Sequence, residues 1–281
     1  MGTVVALHRY PVKSMLGETL MSAAITRTGL SGDRTHAVLD DVGTIGSAKH
    51  PRKWGQLLQC RSRLTEGGTV EVELPDGSVF PVGDPELNAQ LSKLLGRSLR
   101  LSADAPADAP LERAAPEYEG GVPDTVRASS YVDETGEEIT VDSIAPGTFF
   151  DNGRIHLVTT SSLAVLRAVR PDYDFDPRRF RPNLVIDTGE GQGFLEDTWV
   201  GCRVRVGEAL CRVVVPTPRC VVPTLGHDEL RPDLSLMRTI SRTHRLPVFD
   251  LGRLACLGVY LDVLAPGLVR AGDPLTQQDG P

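Results

Sequence analysis

Short apolar or alternating runs recur along almost the whole chain, each closed by glycine, proline or a charged turn. TVVALH (3–8), HAVLDD (36–41), TVEVEL (69–74), RIHLVTT (154–160), NLVID (183–187), CRVRVG (202–207), ALCRVVV (209–215) and LGVYLDVL (257–264) all have the length and composition of strands. Further strands are expected at 21–26 and 56–64, and Glu-Gly-Gly at 66–68 turns the second of these into a hairpin with 69–74. Helical spacing is confined to three places. One is Pro85–Leu95, with Asp84 as N-cap, Pro85 in the first turn and Gly96 as the stop. The others are 161–170, with Leu163, Leu166 and Val169 on one face, and 234–242. Many short strands and few helices predict a mainly β (α+β) chain, built round a closed or nearly closed β-barrel with peripheral helices.

Residues 102–127 are rich in Ala, Pro, Asp and Glu and lack periodicity. They read as a linker or surface insertion between a segment 1–101 and a segment 128–281. There is no internal repeat, no G-x-G-x-x-G after a strand and no phosphate loop of the G-x-x-x-x-G-K-[ST] type. The formal charge of −7 argues against a nucleic-acid partner but leaves room for a local basic pocket. The N-terminus lacks a basic stretch followed by a long apolar one, and no run approaches the ~18–20 apolar residues that cross a bilayer. The expectation is a cytoplasmic protein that does not engage a membrane.

Five cysteines, an odd number with no C-x-x-C pair, fit neither a disulfide framework nor a structural zinc site. Cys60, Cys202, Cys211 and Cys256 fall within strand-like runs and read as buried, inert thiols. Cys220 stands apart, in VVVPTPRCVVPT. Pro216, Pro218 and Pro223 donate no ladder hydrogen bond, so this segment is expected to leave the sheet as a rigid turn that fixes the thiol's direction. Arg219 beside it favours the thiolate, the form that binds a soft or high-valent metal.

Basic residues cluster in two further places. Arg178, Arg179 and Arg181 fall within RRFRPN, where Arg179 and Arg181 could share a face and fork onto a phosphate. Lys13 and Ser14 of PVKS, with Arg34 of GDR, add positive charge and a hydroxyl near the start of the chain. The six histidines show no metal-binding spacing, and there is no G-x-S-x-G nucleophile elbow. Each feature alone also reads as a solvated turn.

Taken in order, Y-P-V-K-S (10–14), L-S-G-D-R (30–34), R-F-R-P-N (179–183), P-R-C (218–220), L-G-V-Y (257–260) and V-R-A-G-D-P-L (269–275) resemble the MOSC family. More narrowly, they are similar to the branch with an added N-terminal β-barrel region, that of the amidoxime-reducing proteins. The resemblance spans nearly the whole chain. It implies a MOSC-type β-barrel, an N-terminal β-barrel-like region and a molybdenum cofactor (Mo-molybdopterin) whose metal takes one protein thiolate, here Cys220. It further implies cofactor-binding roles for Lys13, Ser14, Arg34, Arg181, Asn183 and Arg219. Thr159 and Ser162 would add contacts from a strand-to-helix turn that also offers a helix N-terminus to phosphate.

The activity implied is an oxidoreductase that converts N-hydroxylated compounds (hydroxylamines, amidoximes, N-oxides) to the parent base. A small N-oxygenated molecule would be its substrate. No flavin, haem or iron–sulfur motif is visible, so electrons would come from a separate donor protein of flavin, iron–sulfur or haem type. His227 or Asp228, just past Cys220, could relay protons. The same resemblance allows two other roles, a sulfur-transfer module of cofactor sulfuration and a non-catalytic cofactor carrier.

Overall fold

The computed structural model describes residues 1–106, 108–118, 121–143, 148–173 and 175–278. Parts of the expected 102–127 and 128–281 segments (107, 119–120, 144–147, 174 and 279–281) lie outside these described residues.

Seven strands close into a barrel. Its order is Ile155–Thr159, Leu184–Asp187, Gly2–Arg9, Pro274–Gln278, Arg203–Val206, Ala209–Pro218 and Arg253–Ala265, which pairs back onto Ile155–Thr159. Every pairing is antiparallel except that of Ile155–Thr159 with Leu184–Asp187, and these two are joined through the helix Thr160–Val169. A parallel pair requires such a crossover, because a tight turn cannot bring the chain back to the same end. Closure removes the open edges of a sheet of this size. Alternate residues of the strands point inward, so Val4, Leu157, Ile186, Val204, Val206, Cys211, Val213, Val259, Leu261 and Leu275 form one packed core. The mainly β barrel read from the sequence is the observed architecture.

A second core lies in the N-terminal part. Trp54, Leu57 and Val72 pack against Leu87, Leu91 and Leu95 of helix Pro85–Leu95. That helix begins as its sequence dictates. Asp84 accepts a hydrogen bond from the Glu86 amide at 2.8 Å, and Gly96 ends the helix in the left-handed region at φ 64°. The other two long helices, Thr160–Val169 and Ser235–Thr243, pack against each other through Leu163, Leu166, Leu236 and Ile240. Among the described residues no helix is long and apolar enough to cross a membrane.

Several expectations change. Residues 55–59 form a 3-10 turn, and only Arg61–Leu64 joins the hairpin. Val169 is exposed rather than on the packed face of its helix. Part of the expected linker is structured: Pro110–Ala114 pairs with Glu138–Ser143, burying Leu111 and Ala114. The two expected segments also interpenetrate, since Gly2–Arg9 sits inside the barrel between strands of the second. The strand before Cys220 does not stop short of its prolines but runs on to Pro218. It is paired with Arg203–Val206 only up to Arg212, so Pro216 and Pro218 lie where that edge is free. A missing amide donor costs nothing there, and register shifts on the other edge absorb the rings.

Candidate functional site

Lys13 and Ser14, from the turn after the first strand, meet Arg34, Lys49, Asp151, Arg181, Arg219 and Cys220 in one cleft of about 380 Å³. Two glycines make the close approach of its walls possible. A Cβ on Gly258 would stand 2.4 Å from the Leu157 carbonyl and 2.6 Å from His156 Nε2, and one on Gly153 would collide with the Tyr260 ring at 2.3 Å. His156 and Tyr260 both line the cleft.

Positive charge dominates the lining. Lys13, Arg34, Lys49, Arg113, Arg181 and Arg219 stand against the carboxylates of Asp142 and Asp151. Lys13 Nζ donates to the Phe149 carbonyl at 2.9 Å and to Asp151 Oδ1 at 2.5 Å, while Lys49 Nζ meets Asp151 Oδ2 at 2.9 Å. Burial lowers Lys13 to about 8, against the pull of Asp151. The same burial would raise the Asp151 carboxyl, but the two lysines outweigh it and hold that group far below the usual carboxylate range. For Lys49, burial is overcome chiefly by Asp151, and its ammonium is raised.

Tyr10 lies beneath two guanidinium groups. Arg34 sits 5.0 Å and Arg181 4.3 Å from its ring centroid. Arg34 is ion-paired with Asp33, whose other oxygen accepts from the Tyr10 amide at 2.7 Å. Arg181 has no such partner. Both of its terminal nitrogens are buried, and neither finds an acceptor among the described residues. Burial, and then repulsion from Arg34, lowers Arg181 to about 10. Arg219 donates through Nη2 to the Phe180 carbonyl at 3.0 Å, and its Nη1 lies 3.4 Å from His156 Nε2. Burial and this guanidinium keep His156 neutral.

Cys220 is half-buried and is pinned from both sides. The Arg219 amide donates to the Ala255 carbonyl at 2.8 Å, and the 3-10 turn Val222–Thr224 follows at once, closed by the Thr224 amide on the Val221 carbonyl at 2.9 Å. Among the described residues no group of three or more His, Cys, Asp or Glu is placed to hold a metal ion. A metal bound at Cys220 would therefore have to bring its other ligands with it.

Seven of the residues singled out in the sequence meet here: Lys13, Ser14, Arg34, Arg181, Asn183, Arg219 and Cys220. Two of them are committed to the wall itself. Ser14 Oγ accepts from the Ala48 amide at 2.9 Å. Asn183 donates to the His8 carbonyl at 3.2 Å and accepts from the His156 amide at 3.1 Å, tying two barrel strands together.

Thr159 and Ser162 are not in the cleft lining. Their hydroxyls donate to the buried Glu196 carboxyl at 2.5 and 2.6 Å. Glu196 thus occupies the start of helix Thr160–Val169, where a phosphate was expected. Burial raises the Glu196 carboxyl toward the neutral form.

The three arginines do not share a face. Arg178 pairs with Asp176 at 2.8 Å, and Arg179 donates to the Pro223 and Arg231 carbonyls at 3.2 and 2.7 Å, bracing the loop after Cys220. Only Arg181 turns into the cleft, because its backbone flips to the left-handed region at φ 53°. His227 and Asp228 are also outside the lining, and Asp228 is held by Arg61 at 2.7 Å. Lys49, Asp151, His156 and Tyr260 were not foreseen. Each comes from a run whose local pattern reads as ordinary turn or strand.

Two family models match the chain: the MOSC N-terminal beta barrel domain over residues 1–109 and the MOSC domain over residues 146–276. The chain is 25% identical over 293 residues to mitochondrial amidoxime-reducing component 1 of Mus musculus, covering 98% of this chain and 82% of that protein. It is 23% identical over 286 residues to the Homo sapiens protein of the same name, with the same coverage of 98% and 82%. Among solved structures, the YUAD protein from Bacillus subtilis superposes over 98% of this chain and 93% of its own at 12% identity, with a TM-score of 0.45.

Proposed function

Because this chain belongs to the MOSC family, with a MOSC N-terminal beta barrel domain ahead of its MOSC domain, we propose that its cleft holds a molybdenum cofactor and reduces N-oxygenated compounds. The observation that carries this reading is the pairing, in one cleft, of an accessible thiol with cationic donors that find no acceptor among the described residues. An unpartnered buried guanidinium costs more than a neutral donor would, and it is retained where a ligand supplies the acceptor. Arg181 fits that description, and a phosphate-bearing cofactor is a matching acceptor.

In this reading Cys220 supplies the thiolate ligand. Lys13, Lys49, Arg34, Arg181 and Arg219 balance the negative charge of phosphate and metal centre. Ser14 and Asn183 act one step back, by fixing the wall from which Lys13 and Arg181 project. His156, kept neutral, stands between Arg219 and the Leu257 carbonyl, with Nε2 at 3.4 and 3.3 Å, and packs against Arg219 without adding charge. The cofactor, when bound, supplies two-electron redox chemistry at its metal. The net reaction takes an N-hydroxylated compound, two electrons and two protons to the parent nitrogen base and water. The relatives named above as amidoxime-reducing support that reaction class, and the electrons would arrive from a separate donor protein.

The test is elemental analysis for molybdenum, with fluorescence of the oxidised pterin, on wild type and Cys220→Ala made in a cofactor-competent host. Benzamidoxime reduction with a chemical reductant follows on the same samples. Near-stoichiometric metal and pterin in the wild type, loss of metal in the variant and loss of turnover are expected. Full activity in Cys220→Ala would remove the thiol from the reaction, and wild type that cannot be loaded would refute the reading altogether.

A further inference from the structure

The cleft is not basic throughout. Tyr118, Val126, Val248, Phe249, Leu251 and Leu254 line another part of it. They come from two segments far apart in the chain, and Tyr118, Val126, Val248 and Leu254 pack with Cys256 into one apolar cluster. Tyr118 lies in the field of Arg113 and Asp142, which also line the cleft and neutralise each other at 2.7 Å. The lining therefore has a cationic part suited to an anionic group and a part with no net charge to offer.

Phe249 is the unusual member. Its neighbour Val248 is fully buried, yet Phe249 is 66% exposed. Its turn is clamped, because the Val248 amide donates to the Gly252 carbonyl and the Leu251 amide to the Val248 carbonyl, both at 3.0 Å. Within that clamp Phe249 holds φ at 45°, a conformation that bulky side chains rarely adopt. Six non-glycine residues among those described have positive φ, and four of them, Ser14, Arg34, Arg181 and Phe249, line this cleft. The fold gains little from a strained, exposed phenyl ring, whereas a ligand lying in the cleft would cover it.

We propose that this apolar part is the substrate compartment, and that Phe249 selects N-oxygenated compounds carrying a neutral, flat apolar body over small polar ones such as hydroxylamine itself. This rests on the reductase reading above. The cationic part takes the anionic cofactor, Cys220 lies in the same cleft, and the ring of Phe249 covers the apolar body while the N–O group is left for the reacting centre. Because Phe249 is exposed, its removal leaves the fold intact.

The experiment compares wild type, Phe249→Ala and Phe249→Leu, all loaded with cofactor. Benzamidoxime binding is measured by equilibrium dialysis without reductant, and turnover of benzamidoxime and of hydroxylamine is measured with a chemical reductant. Covering about half of a phenyl side chain corresponds to roughly tenfold in affinity. Phe249→Ala is expected to weaken benzamidoxime binding and raise its KM about tenfold, to leave kcat within about twofold, and to leave the KM for hydroxylamine unchanged. Phe249→Leu should recover about half of the loss on a logarithmic scale. Equal benzamidoxime binding by wild type and Phe249→Ala, or equal effects on both substrates, would overturn the proposal while leaving the reductase reading in place. No turnover of either substrate by wild type would sink the reductase reading, and dialysis would still decide whether the compartment binds an aryl group through Phe249.

Discussion

Arg181 should destabilise the cofactor-free protein and stabilise the loaded one, so that Arg181→Met reverses the order of melting between the two states. Both terminal nitrogens of the guanidinium are buried without an acceptor among the described residues. Each unsatisfied donor costs about 1–3 kcal/mol, so the pair costs roughly 2–6 kcal/mol before compensation. The compensation visible is its position 4.3 Å from the Tyr10 ring centroid, a cation–π contact of about 0.5–2 kcal/mol. Methionine fills much of the same volume, packs on the same ring and demands no acceptor. Its left-handed backbone is as uncomfortable as that of arginine, so the strain at φ 53° cancels. The balance favours the variant by about 2 kcal/mol, which for a chain of this size is a rise in Tm of roughly 3–4 °C. Differential scanning calorimetry on protein from a cofactor-deficient host measures it. Protein from a competent host should show the opposite order, because the wild type gains binding free energy that the variant has lost. A cofactor-free Arg181→Met that melts below wild type would refute the reasoning, since the guanidinium would then be contributing to the fold and would not be waiting for a ligand.

His244 makes a separate test of buried charge. Its Nε2 lies 2.7 Å from Asp197 Oδ2 and its Nδ1 2.9 Å from the Cys256 carbonyl, so both nitrogens must carry protons. Burial alone would lower the imidazole, but the Asp197 hydrogen bond raises it above 6.5. Its contribution is therefore complete below pH 6.5 and lost as pH rises through the higher folded value. Urea denaturation should show His244→Gln less stable than wild type by about 1–2 kcal/mol at pH 6 and by much less at pH 9. Asp151→Asn strips the counter-charge from Lys13 and Lys49 and should lower the Tm of cofactor-free protein at pH 7, by the equivalent of about 1–3 kcal/mol once partial exposure is allowed for. Because Lys13 sits at about 8, that gap should narrow when scanning fluorimetry is repeated at pH 9.5.

Strand periodicity is a local property, and it made the barrel legible. The strands at 154–160, 183–187 and 202–207 are all present within a residue, and the one at 257–264 starts four residues earlier, at Arg253. Helix Pro85–Leu95 was equally plain, because its cap, first-turn proline and stop glycine all lie within the segment itself. Prolines misled at 216 and 218, since the cost of a missing donor depends on whether an edge is paired, and that is settled by a strand far away. Lys13, Arg34, Arg181 and Cys220 could be found because they sit in turns with their own signature. Asp151 and Lys49 could not. A carboxylate that bridges two lysines is defined by where three separate segments meet, and nothing in FFDNG or SAKHP announces it. Thr159 and Ser162 fell on the right turn, but the group at that helix start is the protein's own Glu196 carboxyl, which lies more than thirty residues further along.

The barrel's closure has a consequence for how the chain is made. Gly2–Arg9 leaves the ribosome before every other strand of the barrel, but it is finally flanked by Leu184–Asp187 and Pro274–Gln278, which emerge late. For most of synthesis TVVALHR is a β-forming apolar strand without its permanent neighbours, a segment open to pairing with other nascent chains. The short strand Glu18–Leu20 limits the hazard. It pairs with Leu7, His8 and Arg9 through a local connection, available as soon as Leu20 has followed them out. The remainder, Gly2 to Ala6, stays uncovered until the distant strands arrive, so the earliest-made strand of the barrel is among the last to be secured.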